Sequence, residues 1–299
     1  MKTVTSERQI AIKNILFATD FEVSAGRALP FAISLAKRYG AKLYAMHVIP
    51  PDAYALASAE SFERVLAEAG DFAEHSLNQL LSPLRTHGIS VEALLGEGNV
   101  ADVIEEAIKE RSADLLVVGT SGRMGLGKMF MGSVAEELIR ESPCPVLTVG
   151  SHVTSLASSG VHSIICATDF SPASSHAIEF GVSLAAEYQA HLTLLHVLEG
   201  KLPTSLGLAM DFAERRLRQT LPPEVELPFK TAFVVKAGAV ADHIVNLAAD
   251  LSSDIIVIGA NGVGAFAEMA SRLGSIVHRV IAFAPCPVIT VRDVHKFDS

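Results

Sequence analysis

The chain contains one sequence unit twice, and this duplication limits its fold more than any other feature. The segment 14–21, Asn-Ile-Leu-Phe-Ala-Thr-Asp-Phe, returns at 163–170 as Ser-Ile-Ile-Cys-Ala-Thr-Asp-Phe. Pro-Cys-Pro-Val at 143–146 returns at 285–288. Self-similarity of this kind means that one structural unit occurs twice along the chain. The copies are 149 residues apart at the first segment and 142 apart at the last, so the second copy is shorter in its interior.

Each copy alternates short apolar runs, typical of buried strands, with amphipathic stretches, typical of helices. The predicted strands lie near 13–19, 42–49, 89–95, 114–119 and 145–149 in the first copy, and near 162–168, 191–198, 230–236, 254–259 and 287–292 in the second. This alternation predicts an α/β fold in which each copy forms a parallel sheet flanked by helices. The Ser-rich segment 151–160 is predicted to link a domain at 12–150 to a domain at 161–293.

Composition excludes several classes of function. Of the 299 residues, 49% are hydrophobic and 19% are charged, which is typical of a soluble globular protein. No apolar stretch approaches the ~18 residues of a membrane helix, and the N-terminus does not resemble a secretory signal, so we expect no membrane partner and a cytoplasmic location. The net charge of −9 argues against a nucleic-acid partner. Cys144 and Cys286 lie in the two Pro-Cys-Pro-Val segments and are expected to be core residues.

A glycine-rich segment follows the predicted fourth strand. Gly119-Thr-Ser-Gly122 is followed by nine residues and then by Gly132-Ser133, where an amphipathic helix is predicted to begin. Glycines at a strand exit allow the backbone to turn with positive φ and to approach a ligand closely. The unpaired N–H groups of a helix N-terminus favour a phosphate. The sequence therefore predicts a seat for nucleotide phosphates here.

Thr19 and Asp20 follow the predicted first strand. If strands 1 and 4 are neighbours where the strand order reverses, one nucleotide can contact both segments, because ligands of open parallel sheets bind at that point. Asp20 would then accept hydrogen bonds from ribose or adenine. The alternative is that the Asp is a turn residue and that the glycines serve only the turn. His47 and His196, at strand ends, are interpreted as packed imidazoles, and no histidine pair has a metal-ligand spacing.

These segments resemble those of the universal stress protein family, and the resemblance covers nearly the whole chain. It rests on the repeated Ala-Thr-Asp, His-Val and Pro-Cys-Pro-Val segments, and on the glycine spacing at 119–133, which matches the ATP-binding subgroup. The resemblance implies two tandem Rossmann-like (adenine nucleotide α-hydrolase-like) domains, each with a five-stranded parallel sheet in the order 3-2-1-4-5. It also implies ATP, or AMP, at the ends of strands 1 and 4, and a contact between the halves through their last strands.

The resemblance assigns roles to individual residues of the first copy. Adenine and ribose would be contacted by Thr19, Asp20, Val48, Val118 and Gly119, and the phosphates by Gly122, Gly132, Ser133 and Val134. Mg²⁺ commonly accompanies a triphosphate, so it is a second expected ligand.

The second copy departs from the pattern. Its corresponding positions are Asp169, Val197, Gly259, Gly262, Gly274 and Ser275. Eleven residues, rather than nine, separate Gly262 from Gly274. The first copy carries two cations in this loop, whereas the first nine loop residues of the second copy carry a carboxylate and no cation: Arg123 and Lys128, against Glu268. The first copy is therefore predicted to be the stronger ATP site.

The sequence favours an ATP-binding stress or regulatory protein over an enzyme. It lacks the Ser-Gly-Gly-x-Asp-Ser loop of the ATP pyrophosphatases, and no Walker lysine follows a glycine loop. Two alternatives stay open, a weak ATP hydrolase and a partner-binding scaffold with a vestigial nucleotide site. Pairing of two chains into a homodimer is also left open.

Overall fold

One ten-stranded sheet runs through both halves of the chain in the computed structural model. The structure describes residues 11–55, 57–58, 60–120, 123–125, 128–130, 132–154, 160–200, 205–221, 230–260 and 276–293. The strands of the first half are β1 (Asn14–Ala18), β2 (Lys42–Ile49), β3 (Val91–Glu97), β4 (Leu115–Gly119) and β7 (Val146–Val149). Those of the second half are β8 (Ser163–Ala167), β9 (His191–Leu198), β10 (Thr231–Ala237), β11 (Ile255–Ala260) and β12 (Val288–Arg292). A separate hairpin pairs β5 (Arg123–Gly125) with β6 (Lys128–Phe130).

Helices connect consecutive parallel strands. They are α1 (Val23–Tyr39), α2 (Phe62–Thr86), α3 (Val100–Glu110) and α4 (Ser133–Glu141) in the first half, and α5 (Pro172–Tyr188), α6 (Leu206–Gln219), α7 (Val240–Asp250) and α8 (276–283) in the second. A short 3₁₀ turn covers Pro51–Ala53. In the described part of the chain, no helix combines the length and apolar character needed to cross a membrane.

The strand order is the same in both halves. It is β3-β2-β1-β4-β7 in the first half and β10-β9-β8-β11-β12 in the second, and the neighbours within each half are parallel. The predicted α/β fold with two tandem units is therefore confirmed. The central strands are runs of Val, Ile and Leu that are buried on both faces, because helices cover the sheet on either side.

The two halves meet along their last strands. β12 pairs with β7 in antiparallel register, with Leu147 opposite Ile289. These two residues occupy equivalent positions of the two copies, so an approximate twofold axis passes between them, perpendicular to the sheet. The axis places equivalent helices on the same face.

Each face of the sheet has one buried apolar cluster shared by both halves. The cluster on one face includes residues of α1, α2, α5 and α6, among them Leu35, Leu77 and Leu184. The cluster on the other face includes residues of α3, α4, α7 and α8, among them Ile104 and Ile244. Between these two helix layers, the carboxyl ends of the parallel strands of each half lie at one edge of the sheet, and the edges of the two halves are opposite because β7 and β12 are antiparallel.

Candidate functional site

The strand order reverses between β1 and β4, and again between β8 and β11. β1 pairs with β4 through Phe17 and Val117, and β8 pairs with β11 through Ala167 and Ile258. The segments after β1 and β4 therefore leave the sheet side by side, as a nucleotide that contacts both of them requires. In open parallel sheets this reversal point is where ligands bind.

The chain turns sharply after β1. The Thr19 N–H donates to the Met46 carbonyl at 2.8 Å, and the Thr19 hydroxyl accepts from the Phe21 N–H at 3.0 Å. Phe21 has a φ of 63°, and its ring stacks on His47 at a centroid distance of 4.5 Å. Nδ1 of His47 lies 2.8 Å from the Thr19 carbonyl oxygen. His47 is therefore a packed, hydrogen-bonded side chain that holds this turn, in agreement with its interpretation from the sequence.

The second half repeats the same turn. The Phe170 N–H donates to the Thr168 hydroxyl at 2.9 Å, and Phe170 also has a φ of 63°. Its ring lies 4.4 Å from that of His196, whose Nδ1 is 2.7 Å from the Thr168 carbonyl oxygen. The same contacts are present in both copies, so the Thr, Phe and His residues form a single local unit in each half.

The aspartates after β1 and β8 serve this turn. Oδ1 of Asp20 accepts from the Glu22 N–H, and Oδ1 of Asp169 accepts from the Ser171 N–H, each at 2.9 Å. Desolvation raises the pKa of Asp169, but hydrogen bonds from Ser171 and Ser174 outweigh it and hold that pKa below its ordinary value. The turn interpretation thus accounts for one carboxylate oxygen of each residue. Each side chain is exposed at the carboxyl edge of its own half.

Gly119 and Gly259 lie where a helix backbone contacts the end of a strand. A Cβ atom on Gly119 would clash with the Ser24 carbonyl group and would lie 2.8 Å from the Ala25 nitrogen. A Cβ atom on Gly259 would lie 2.7 Å from the Ser174 nitrogen. Only glycine allows the first turns of α1 and α5 to come this close. The sequence predicts that these glycines contact the ribose. It does not predict their packing against the helices, which only the structure shows.

The remaining predicted residues of the first half lie at three places on the same edge. Val48 and Val118, on β2 and β4, are buried in one apolar cluster with α3 and α4. Gly132, Ser133 and Val134 form the exposed N-terminus of α4, and no side-chain hydrogen bond caps this helix. Arg123 and Lys128 lie on the hairpin strands β5 and β6, between β4 and α4. Gly122 lies outside the described residues.

A cavity of about 290 Å³ opens at the equivalent edge of the second half. Three predicted residues, Asp169, Val197 and Gly259, line it. The predicted residues Gly262, Gly274 and Ser275 lie outside the described part of the chain. The cavity also has lining residues that were not predicted from the sequence: Ser171, Ser174, Glu199, Val240, Ile244, Ile276 and Val277. The lining residues on α7 and α8 belong to no sequence motif. They reach the pocket only because these helices cross over the sheet.

A resident metal ion would need several ligating side chains in one place. Among the described residues, no group of three or more His, Cys, Asp or Glu side chains is placed to hold a metal ion.

The repeated parallel sheet, its two helix layers and the pocket at the reversal point define a class of tandem α/β domain proteins. The sequence model described as the Universal stress protein family matches residues 11–150 and, a second time, residues 160–292. These two matches cover most of the chain. The chain therefore belongs to the universal stress protein family.

Individual relatives agree with this assignment. Universal stress protein YxiE of Bacillus subtilis is 29% identical over 146 residues, which are 43% of this chain and 97% of the relative. Universal stress protein in QAH/OAS sulfhydrylase 3'region, from Thermus aquaticus, is 35% identical over 129 residues, 40% of this chain and 92% of the relative. The crystal structure of a universal stress protein from Archaeoglobus fulgidus covers 95% of this chain and 97% of its own, with a TM-score of 0.75. At 19% identity, this last similarity shows the fold alone.

Proposed function

We propose that this chain is an ATP-binding universal stress protein, which acts in stress response or regulation rather than in catalysis, and that its first half holds the ATP. The observation that carries this proposal is the N-terminus of α4. Gly132, the residue just before the helix, has an extended backbone and is exposed. Because glycine has no side chain, it does not cap the first N–H groups of α4. The first-turn N–H groups of such a helix attract a phosphate through hydrogen bonds and through the helix dipole.

The surrounding residues supply the other parts of a nucleotide site. Val48 and Val118 present an apolar wall next to the strand-order reversal, suited to the adenine ring. Oδ1 of Asp20 accepts the hydrogen bond that holds its turn. The second carboxylate oxygen, Oδ2, would accept hydrogen bonds from the ribose hydroxyls. In the sequence, the segment between β4 and α4 carries two cations, Arg123 and Lys128, and positive charge favours a phosphate ligand. AMP would use the adenine and ribose contacts and one phosphate contact.

The test is calorimetric titration of the full chain with ATP, with and without Mg²⁺. Gly132→Phe should abolish binding to the first half, because its side chain would occupy the space in front of α4. Among the described residues, nothing outside the adjacent chain and the helix's own backbone lies within 4 Å of a Cβ atom placed on Gly132, so the variant should keep its fold. Gly207→Phe is the matched control, since Gly207 is also exposed with open space around it. ATP binding that is the same in Gly132→Phe as in the unchanged chain would reject the site.

The same protein distinguishes binding from turnover. Absorbance at 260 nm and mass spectrometry of freshly purified protein would detect a retained adenine nucleotide. Steady release of ADP or AMP from ATP would instead favour a weak hydrolase. Absence of binding at millimolar ATP would favour a scaffold with a vestigial site.

A further inference from the structure

The cavity of the second half has mainly apolar walls. They come from one face of the sheet and the helices that cover it: Leu195 and Val197 on β9, Ile258 on β11, Val240 and Ile244 on α7, and Val277 on α8. Its volume of about 290 Å³ is at the small end of the range for ligand pockets, enough for a ligand of nucleoside size. A flat aromatic base would replace water against these side chains.

The charged groups that line this cavity all have one sign. Asp169 follows β8 and Glu199 follows β9, and both are exposed at the rim. None of the lining residues in the described part of the chain is Lys, Arg or His. The guanidinium of Arg216 lies 4.2 Å from the Phe170 ring, which packs with the apolar cluster on the other face of the sheet. The rim therefore presents hydrogen-bond acceptors and negative charge to a ligand.

The N-terminus of α5 is partly satisfied, whereas that of α7, whose first residue Val240 lines the cavity, has no side-chain cap. The Ser171 hydroxyl accepts from the Ser174 N–H at 3.3 Å, and Pro172 at the first helical position has no N–H group. In the first half, Glu22 occupies the equivalent position, makes no side-chain cap and is followed by Val23. The N-terminus of α5 thus offers fewer donors to an anion than that of α1.

The two rims differ in charge at two positions: the first half carries Glu22 where the second has Ser171, and the second half carries Glu199. The counterpart of Glu199 in the first half, 149 residues earlier, is Pro50. A carboxylate at this position repels a phosphate in the same pocket but accepts hydrogen bonds from hydroxyl and amino groups.

We propose that the second half binds an uncharged nucleoside in preference to a nucleotide, with Asp169 and Glu199 accepting from its hydroxyl and amino groups. The choice of a purine nucleoside rests on the function proposed above, whereas the selection against phosphate rests on the charges of this cavity. The two halves of the chain would then sense two different adenine compounds.

The first experiment separates the two sites by filling one pocket at a time in the full chain. Val240 and Val100 begin α7 and α3 and are equivalent, half-buried positions. Val240→Phe should abolish adenosine binding and leave ATP binding intact, whereas Val100→Phe should do the reverse. Adenosine should bind the second half at least tenfold more tightly than AMP or ATP does. Circular dichroism checks that both variants keep their fold.

The second experiment changes the charge at the rim without filling the pocket. Glu199→Lys should reduce the preference for adenosine over AMP at least tenfold, by strengthening AMP binding. Glu179→Lys is the control, because it makes the same charge change at an exposed position of α5 that does not line the cavity. Equal effects of the two variants would overturn the proposal.

Two further outcomes would also overturn it. The first is that ATP binds the second half as tightly as adenosine does. The second is that Val240→Phe leaves adenosine binding unchanged, or that the unchanged chain does not bind adenosine. The proposed ATP site in the first half is tested separately. It would be rejected if neither Gly132→Phe nor Val100→Phe changed the affinity for ATP.

Discussion

Gly119 and Gly259 each lie at a position where the surrounding atoms leave no room for a side chain. The closest atoms around them belong to helix backbone at Ser24, Ala25, Ala173 and Ser174, which cannot rotate away as a flexible side chain would. We expect Gly119→Ala and Gly259→Ala each to lower the free energy of unfolding by about 3 kcal/mol, the upper end of overpacking costs. Urea denaturation measures this loss. Gly132→Ala is the control and should cost about 1 kcal/mol or less, because position 132 has open space but Ala caps a helix less well than Gly.

The three cysteines illustrate how burial controls reactivity. Cys144, Cys166 and Cys286 are free and buried. Burial raises the pKa of Cys144 and Cys286 to about 12, and it raises the pKa of Cys166 as well. Because the thiolate is the reactive form, the native protein at pH 8 should not react with Ellman's reagent, and all three thiols should react in denaturant. Rapid labelling of the native protein would contradict this prediction.

The helices that follow the third strand of each half differ in one cap. Asn99 precedes α3, and its side chain accepts from the N–H groups of Ala101 at 2.9 Å and Asp102 at 3.3 Å. Ala239 precedes α7 with a similar extended backbone and no side-chain cap. We expect Asn99→Ala to destabilise the protein by about 1 kcal/mol and Ala239→Asn to stabilise it by a similar amount. Thermal and urea denaturation of the two variants would measure both effects.

A failure of Ala239→Asn to stabilise would mean that the gain from the cap is lost elsewhere in the second half. Ala239→Ser is the control for side-chain size, since Ser also caps helices well. Agreement in sign between Asn and Ser would attribute the effect to the hydrogen bond.

The strands and helices could be predicted because their signals are local. Apolar runs, amphipathic periods and the repeat placed β1, β4 and their copies to within a few residues. The packing role of Gly119 could not be predicted, since it depends on where α1 crosses the sheet. The same reason hid Val240 and Ile244, which line the cavity only because α7 packs over β9. Ligand identity needs that three-dimensional arrangement as well as the motif.

The approximate twofold axis brings equivalent positions of the two halves together. Tyr39 meets Tyr188, its counterpart 149 residues later, at a ring distance of 6.4 Å. Arg38 meets Glu187, also its counterpart, at 3.1 Å. On the other face Glu136 lies 3.6 Å from His278, 142 residues later. Two identical halves would bring Arg38 against a second arginine, and Glu136 against a second glutamate. At these two positions the duplicated units have therefore diverged from like residues to residues of complementary charge or hydrogen-bonding character.

The ion pair between Arg38 and Glu187 provides a test of this complementarity. Nε of Arg38 lies 3.1 Å from Oε1 of Glu187, and the guanidinium also donates to the Glu187 carbonyl oxygen. Arg38→Glu places two carboxylates at the axis and should lower the free energy of unfolding by about 1 kcal/mol, since exposed pairs contribute modestly. Adding Glu187→Arg should recover part of this loss, because the opposite charges return but a carboxylate at position 38 cannot donate to the carbonyl. Urea denaturation at low and high salt measures the effect, and high salt should reduce it.

The matched control is the exposed pair of Arg64 and Glu68 within α2, where Arg64→Glu should cost less than about 0.5 kcal/mol. Equal losses at the two pairs would show that charge at the axis does not select how the halves pair.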